Sequence, residues 1–597
     1  MSEYYEEEEY TTEFNGRIMW RILKYGLAHW PKMLAFFVGI SVVSYIESYF
    51  TFLSKRIIDE GIMVRDLAQL KSLSLQYAGL LIIFAAFVFL FIIAAGTLGH
   101  QVQYDLRRDM VERLQGLQLS FYDRTPTGWI MARVTSDASR VGDLVSWGFL
   151  DMTWTLTSIG TAVYFMLRIN WQMTLIVLTI LPALATIALQ FKKRILLEYR
   201  LVRKFNSKIT NAYNENITGV RVVKSLRREE KNLHQFSELT GNMYRSSYKA
   251  AWLSALFLPA VQLVSTIGVA AVVWFGGYQV QIGTLTIGGI QAFVAYITFM
   301  LWPIQQMAIV YADMQQSIAS AERIFSLLDT ESEIIDAADA IDPGTIRGDI
   351  LFDNVSFQYE ADKPVLTDFT LHIKQGDTIA LVGPTGAGKS TLVNLLCRFY
   401  EPTSGTVRFN GLDYKKMTLH AIHARIGMVL QTPHLFSGTI RENLRYGNLD
   451  APDDAVVDAA RMAGAHNFIV DLDDGYDTEV GEGGVLLSVG QKQLVSLARA
   501  ILADPDVFIM DEATSSVDTL TEALIQQGME QLMEGRTSFI IAHRLSTIKN
   551  ADKILVIENG GVSEMGTHAE LIRQQGHYYN LYTQQFRNER EQAYGVG

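Results

Sequence analysis

Gly383-Pro-Thr-Gly-Ala-Gly-Lys-Ser-Thr391 decides the reading of the second half of the chain. An apolar run, Thr378-Ile-Ala-Leu-Val382, leads into it, and a helix-periodic segment, Leu392-Val-Asn-Leu-Leu396, leads out. Gly383, Gly388, Lys389 and Ser390 fall at the spacing of a phosphate-binding loop, and a strand before with a helix after is the context its mechanism requires. Glycines let successive backbone N–H groups turn toward one anion, and the new helix adds the positive end of its dipole. Gly383, Pro384, Thr385, Gly386, Ala387, Gly388, Lys389, Ser390 and Thr391 are therefore the expected nucleotide cradle. Lys389 would reach the β- and γ-phosphates, and the Ser390 hydroxyl would ligate Mg²⁺.

Outward from this loop the composition is uneven. The 597 residues exceed one core, and 49% of them are hydrophobic. Apolar runs of helical membrane-spanning length are confined to the first half, so a membrane domain precedes a water-soluble one. A net charge of -12 disfavours nucleic acid as a partner, because such proteins present a basic face. With one cysteine, Cys397, no intrachain disulfide is possible. The acidic, tyrosine-rich start has neither the basic flank nor the apolar core of a cleaved signal peptide.

Residues 17–30 alternate basic and aromatic positions at helical spacing and predict an interfacial helix, with Trp20 and Trp30 at the headgroups. Six spans follow, near 32–53, 76–99, 144–167, 171–191, 252–273 and 287–309. The segments after the second and fourth spans hold about twenty Lys and Arg, and those after the first, third and fifth about five, which places the former inside. Both ends of the membrane domain and the second domain are then cytoplasmic. The two inside segments stay helix-like and predict stalks with tips near 120–128 and 212–219. The expected domains are 1–328 in the membrane, a linker at 329–348 with Pro343-Gly344, and an α/β domain over 349–597.

Four further stretches carry chemistry. Val507-Phe-Ile-Met-Asp511-Glu512 is an apolar strand ending in two carboxylates, Asp511 placed to hold Mg²⁺ through water and Glu512 to polarise an attacking water. His543 ends another apolar run, Phe539-Ile-Ile-Ala-His543, where an imidazole reaches a γ-phosphate, although a lone histidine is more often structural. In Leu487-Ser-Val-Gly-Gln491, Ser488 and the Gly490 amide open a helix and offer a second anion site, with Gln491 beside them. Gln431 follows the strand-like Ile426-Gly-Met-Val-Leu430 and is placed to sense Mg²⁺ or water.

The order of phosphate loop, Gln431, LSVGQ, Asp511-Glu512, Ser515-Ser-Val-Asp518 and His543 behind six spans resembles the ATP-binding cassette exporters over nearly the whole chain. The resemblance implies an all-α six-helix transmembrane domain followed by an α/β P-loop nucleotide-binding domain. It further implies an ATPase that drives translocation, with ATP and Mg²⁺ as cofactors and a cell-membrane location. By it, Tyr359 stacks on adenine, Asp518 faces a partner, and 120–126 and 212–218 are coupling helices. The family works as a dimer, each ATP closing between one chain's phosphate loop and the other's signature.

Two departures matter. The third signature position, glycine in the family, is Val489, whose β-branch should crowd the clamp and restrict it. The family's Gly-Glu-Arg-Gly reads Gly481-Glu-Gly-Gly484, without the arginine. A second half-transporter chain with an intact signature, a heterodimer, is thus favoured over a homodimer. In the first span, Glu47 with Tyr45, Tyr49, Tyr296, Met300 and Trp302 suggests a cavity for amphipathic cations, against the plainer reading that Glu47 pairs with a polar neighbour. Export of small lipophilic compounds is the leading expectation. A lipid, lipopeptide or peptide translocase is the alternative, and an ATP-gated channel or regulatory subunit a more distant one.

Overall fold

The computed structural model describes residues 16–511, 518–542 and 545–583. The chain divides into two compact units, Met1–Gly116 with Pro126–Thr330, and Leu117–Thr125 with Glu331–Gly597.

The first unit is helical. A helix at Gly16–Ala28 leaves Trp20 exposed, and its Arg21 forms a two-pronged bond to Asp329 at 2.6 and 2.9 Å. Long helices follow at Trp30–Arg56, Leu67–Gln115, Phe149–Ile169, Trp171–Thr218, Glu229–Gln281 and Ile287–Asp329. Local chemistry sets their starts. Pro31 opens the first, and Asp66, Asn170 and Thr286 cap the second, fourth and sixth by accepting from free backbone N–H groups. Four of these helices have 43 to 53 residues, roughly 65–80 Å of rise, whereas a bilayer's hydrocarbon takes up about 30 Å. The surplus length is what the expected stalks would require. Among the described residues, Trp30–Ile62, Leu67–Gln115 and Glu229–Gln281 are long and apolar enough to cross a membrane, and Trp171–Ile180 and Ile287–Pro303 are shorter apolar stretches. Additional short helices raise the helix count above six without changing the class.

Two local features escape the periodicity. The fourth long helix runs unbroken through 212–218, so the expected second coupling helix is displaced; the chain turns at Gly219 and a short helix occupies Val220–Ser225. Nothing in Ala212-Tyr-Asn-Glu-Asn-Ile-Thr218 breaks a helix, and Gly219 is the first residue that does. Helical hydrogen bonding also widens to π geometry at Ile57–Ile62, Arg133–Asp137 and Leu144–Gly148.

The second unit holds two sheets. One is antiparallel, in the order β2 (Pro364–Ile373), β1 (Ile350–Gln358), β4 (Ser404–Phe409), β5 (Leu412–Asp413). The other runs β10 (Gly561–Gly566), β9 (Lys553–Glu558), β3 (Thr378–Val382), β8 (Thr537–Ile541), β7 (Val507–Asp511), β6 (Ile426–Val429), parallel except for β10. Its central strands are buried on both faces, so they read as continuous apolar runs. Ile379, Leu381, Ile509, Phe539 and Leu555 pack with Phe352, Phe369 and Phe409 of the antiparallel sheet. Ala380, Val382, Phe508, Met510 and Ile540 face a core that includes Leu494, Leu497 and Met529. Residues 331–349 lie along this unit, where the Asp506 carboxylate accepts from the Thr345 hydroxyl, the Ile346 amide and Arg347.

The segment Leu117–Thr125 belongs to the second unit. Its helix, Leu119–Arg124, ends where Thr125, preceding Pro126, turns extended. Leu119 packs against the core beneath the antiparallel sheet, Gln118 accepts from Ser332 and the Glu333 amide, and Tyr400 donates to Asp123.

Candidate functional site

β3 lies between β9 and β8, and its carboxyl end is where an open parallel sheet leaves room for a ligand. The loop leaving it is held open by glycine. At Gly383, φ is 151° and a Cβ would stand 2.2 Å from the Ile557 carbonyl oxygen, so no other residue fits without moving a core strand. Gly388, at φ 105°, completes the turn into the helix Lys389–Leu396.

Lys389 is partly buried, and its Nζ donates to the carbonyls of Gly383 at 2.7 Å and Pro384 at 2.9 Å. Desolvation lowers its pKa, opposed by the charge of Asp511. A partly desolvated cation held by two carbonyl dipoles gains strongly from an anion at the same place. Pro384, Thr385, Gly386 and Ser390 are exposed at the mouth, while Ala387 is buried. Thr391 is buried and turned away from the mouth: its hydroxyl accepts from the Tyr359 phenol at 3.2 Å, which also accepts from Asn394 at 3.3 Å. Tyr359 stands edge-on to Tyr400 at 5.0 Å, and Arg124 donates to its backbone carbonyl at 3.1 Å. The residue expected to stack on adenine is thus bonded to the phosphate-loop helix on one side and to the 117–125 segment on the other. Sequence spacing gave no sign of that second link.

Asp511 ends β7 in a partly buried position, and Gln431 lies exposed two residues beyond β6. Ser390, Gln431 and Asp511 can each present a side-chain oxygen, the donor that suits Mg²⁺. Glu512, Ser515 and His543 lie outside the described residues. Asp518 caps the helix Thr519–Met533 through the Thr521 amide, and its carboxyl is held below its usual range chiefly by that bond.

Ser488 caps the helix Val489–Leu502, its hydroxyl accepting from the Gln491 amide while the Gln491 side chain accepts from the Ser488 amide. Gly490 is buried behind this pair. Val489 is the first helical residue, 47% exposed, and its backbone is not among the left-handed ones. Val489 thus sits on ordinary helical backbone, without the strain of a positive φ. Gly481, Gly483 and Gly484 all have positive φ, and Lys492 places an ammonium group on the Gly483 carbonyl at 3.1 Å, near where the family's arginine is lost.

In the first unit, Glu47 accepts from the Trp154 indole at 3.0 Å, which is the plainer of its two readings. Ser44 with Thr157 and Ser48 with Thr161 continue the same polar seam. Tyr296 and Met300 are buried in helix packing, and the Tyr296 hydroxyl donates to the Ser48 carbonyl. Trp302 remains 55% exposed, edge-on to Trp154 at 4.6 Å.

Residues 33–304 match the family described as the ABC transporter transmembrane region, and 366–515 match the family described as ABC transporter. Among curated proteins, the chain is 33% identical to an ATP-dependent lipid A-core flippase of Syntrophus aciditrophicus, covering 96% of this chain and 95% of the relative. It is 39% identical to a fatty acid ABC transporter ATP-binding/permease protein of Mycobacterium tuberculosis over 80% and 75%. It is also 38% identical to a putative multidrug export ATP-binding/permease protein, YgaD, of Bacillus subtilis over 81% and 83%.

Proposed function

Since the chain belongs to the ATP-binding cassette transporters, as a half-transporter with its membrane region and ATPase domain in one polypeptide, we propose that it exports lipophilic or amphipathic compounds from the cytoplasm. The observation that carries the reading is the phosphate loop at the end of β3, with Lys389 held partly desolvated over it, in a chain that also carries membrane-length helices. Half-transporters of this family are ATPases that work as dimers in a membrane.

On this reading both termini and the ATP-binding unit face the cytoplasm, in keeping with the basic stalk segments. Tyr359 stacks on the base and the 383–391 loop holds the phosphates, while Ser390, Gln431 and Asp511 would hold Mg²⁺, which would supply charge against the triphosphate. Glu512 orients the attacking water, and His543 contacts the γ-phosphate. A partner chain supplies the signature that completes this pocket, and this chain's Ser488, Gly490 and Gln491 complete the partner's. Because Val489 crowds that second contact, the partner is a different chain with an intact signature, and the pair has one strong and one weak site.

Glu512→Gln in the purified complex tests the core of the proposal: nucleotide binding persists, and hydrolysis and transport fall by on the order of a hundredfold or more. Unchanged turnover removes Glu512 from the chemistry. An active transporter from this chain alone refutes the heterodimer. The names of the flippase and fatty acid relatives favour a second reading, a lipid translocase. ATPase stimulation by lipids but not by amphipathic drugs would select it.

A further inference from the structure

The loop that carries Gln431 is tied at both ends and loose between them. On the near side Met428 and Val429 pair with Ile509 and Met510 of β7, so that end belongs to the sheet that carries the phosphate loop. Leu430, Gln431 and Thr432 are exposed, and Pro433 fixes its own φ and restricts Thr432. From His434 onward the chain is held again. Leu435 is fully buried, and Asn443, buried on the helix Ile440–Arg445, grips the next residue as a neighbouring strand would. Its side-chain oxygen accepts from the Phe436 amide at 2.9 Å, and its nitrogen donates to the Phe436 carbonyl at 2.8 Å and the Thr439 carbonyl at 3.0 Å. The loose stretch, 430–433, extends at most about 14 Å, so the two anchors decide where Gln431 can stand.

The far anchor is itself held by Arg499, on the helix Val489–Leu502. The guanidinium donates from Nε to the Asn443 carbonyl at 2.9 Å, from Nη2 to the Asn443 side-chain oxygen at 3.0 Å, and from Nη1 to the His434 carbonyl at 3.3 Å. Phe436 and Tyr446 stack on each other at 4.5 Å, with ring centres 5.9 and 5.5 Å from the guanidinium carbon. At Gly447 a Cβ would stand 2.2 Å from the Arg499 carbonyl oxygen, so the backbone after the Asn443 helix lies directly against the arginine. Among the described residues Arg499 makes no ion pair, and desolvation lowers its pKa. A cation kept there without a carboxylate gains nothing from charge neutralisation. What it supplies is a planar fork that fixes three oxygens at once, which a lysine cannot do.

We propose that Arg499, acting through Asn443, is a positioning residue for Gln431: it fixes the far end of the 430–433 stretch and so sets how far Gln431 reaches toward Mg²⁺ and the attacking water. The inference rests on the role given to Gln431 above and adds the residues that enforce it. Because the helix bearing Arg499 opens at Ser488, the place of Gln431 follows the place of the helix that carries the signature.

Arg499→Lys keeps the charge and removes the fork. Two readouts are taken on the full-length transporter with its partner chain in lipid nanodiscs. Without nucleotide, the amides of 430–436 exchange at least about fivefold faster than in the wild type, while those of β3 and β6 are unchanged. In turnover, the Mg²⁺ concentration for half-maximal hydrolysis rises at least about fivefold and kcat falls about tenfold, with the KM for ATP at saturating Mg²⁺ within about twofold of wild type. Gln431→Ala shows the same split, and adding Arg499→Lys to it costs less than about twofold more, because the arginine acts through the glutamine. Asn443→Asp is the second variant: it keeps the oxygen that Arg499 and the Phe436 amide use, and it replaces both donations to the loop carbonyls by repulsion. It reproduces the faster exchange and the raised Mg²⁺ requirement. Losses that multiply in the Gln431→Ala background, or wild-type exchange at 430–436 in both Arg499→Lys and Asn443→Asp, overturn the positioning role. Multiplying losses beside a defective Gln431→Ala spare the role of Gln431 and sink only that of Arg499. Wild-type turnover and Mg²⁺ requirement in Gln431→Ala remove Gln431 from the site, and the inference falls with it.

Discussion

Tyr400→Phe removes one hydroxyl and leaves the ring edge-on to Phe357 and Tyr359, so it isolates the bond that ties the 117–125 segment to the ATP-binding core. Tyr400 is buried, and burial first, then the Asp123 carboxylate, raises its phenol above the ordinary value; it remains a donor throughout the working pH range. A hydrogen bond to a charged acceptor contributes about 1.5–3 kcal/mol, equivalent to roughly 10- to 150-fold in the equilibrium between docked and released segment. Hydrogen exchange on the reconstituted transporter reads that equilibrium directly, as faster exchange of the segment's amides with β3 unchanged. Substrate-stimulated ATPase should fall while nucleotide affinity holds, because Tyr359 and the phosphate loop are untouched. Asp123→Asn, alone and combined with Tyr400→Phe, closes a double-mutant cycle, in which the double variant should be little worse than either single one. Additive effects, or wild-type exchange in Tyr400→Phe, would refute the link.

Gly383→Ala should cost several kcal/mol and abolish nucleotide binding, since its Cβ meets the Ile557 carbonyl rather than a flexible side chain; thermal unfolding with and without ATP checks both. Val489→Gly should leave stability within about 1 kcal/mol of wild type, the residue being half-exposed at a helix start, and raise turnover several-fold by clearing the clamp. Turnover equal to wild type would remove crowding as the cause of any asymmetry. Burial alone would raise the Asp506 carboxyl, but bonds from the Ile346 amide, Thr345 and Arg347 outweigh it and hold the pKa below the usual value. Its stabilisation is therefore fully present above about pH 4 and lost as pH falls through the depressed pKa. Asp506→Asn should flatten that part of the stability profile.

The phosphate loop was legible because glycine spacing, strand and helix all stand next to one another in the chain. The long helices were legible from apolar length, and the caps at Asp66, Asn170 and Thr286 sit where their residue types would place them. What stayed hidden depends on contacts between distant residues. The partnership of Thr391 with Tyr359 spans 32 positions and that of Arg124 with Tyr359 spans 235, and no local pattern encodes either. The π turns were also invisible, since one residue gained in a helix leaves composition unchanged. The second stalk tip, expected near 212–219, turns at the far end of that stretch, because Gly219 is its first helix breaker.

Nine residues of the membrane half, Leu117–Thr125, are built into the ATP-binding unit, and this bears on how the protein is made and divided. A gene fragment starting at 331 would encode an ATPase with an open socket where Leu119 belongs and a bare phenol at Tyr400, a surface prone to clump. A synthetic peptide copying 117–125 is the plug that such a fragment needs. On the ribosome the same segment emerges about two hundred residues ahead of its cradle, so it waits undocked until Ser332, Tyr359 and Tyr400 have been translated.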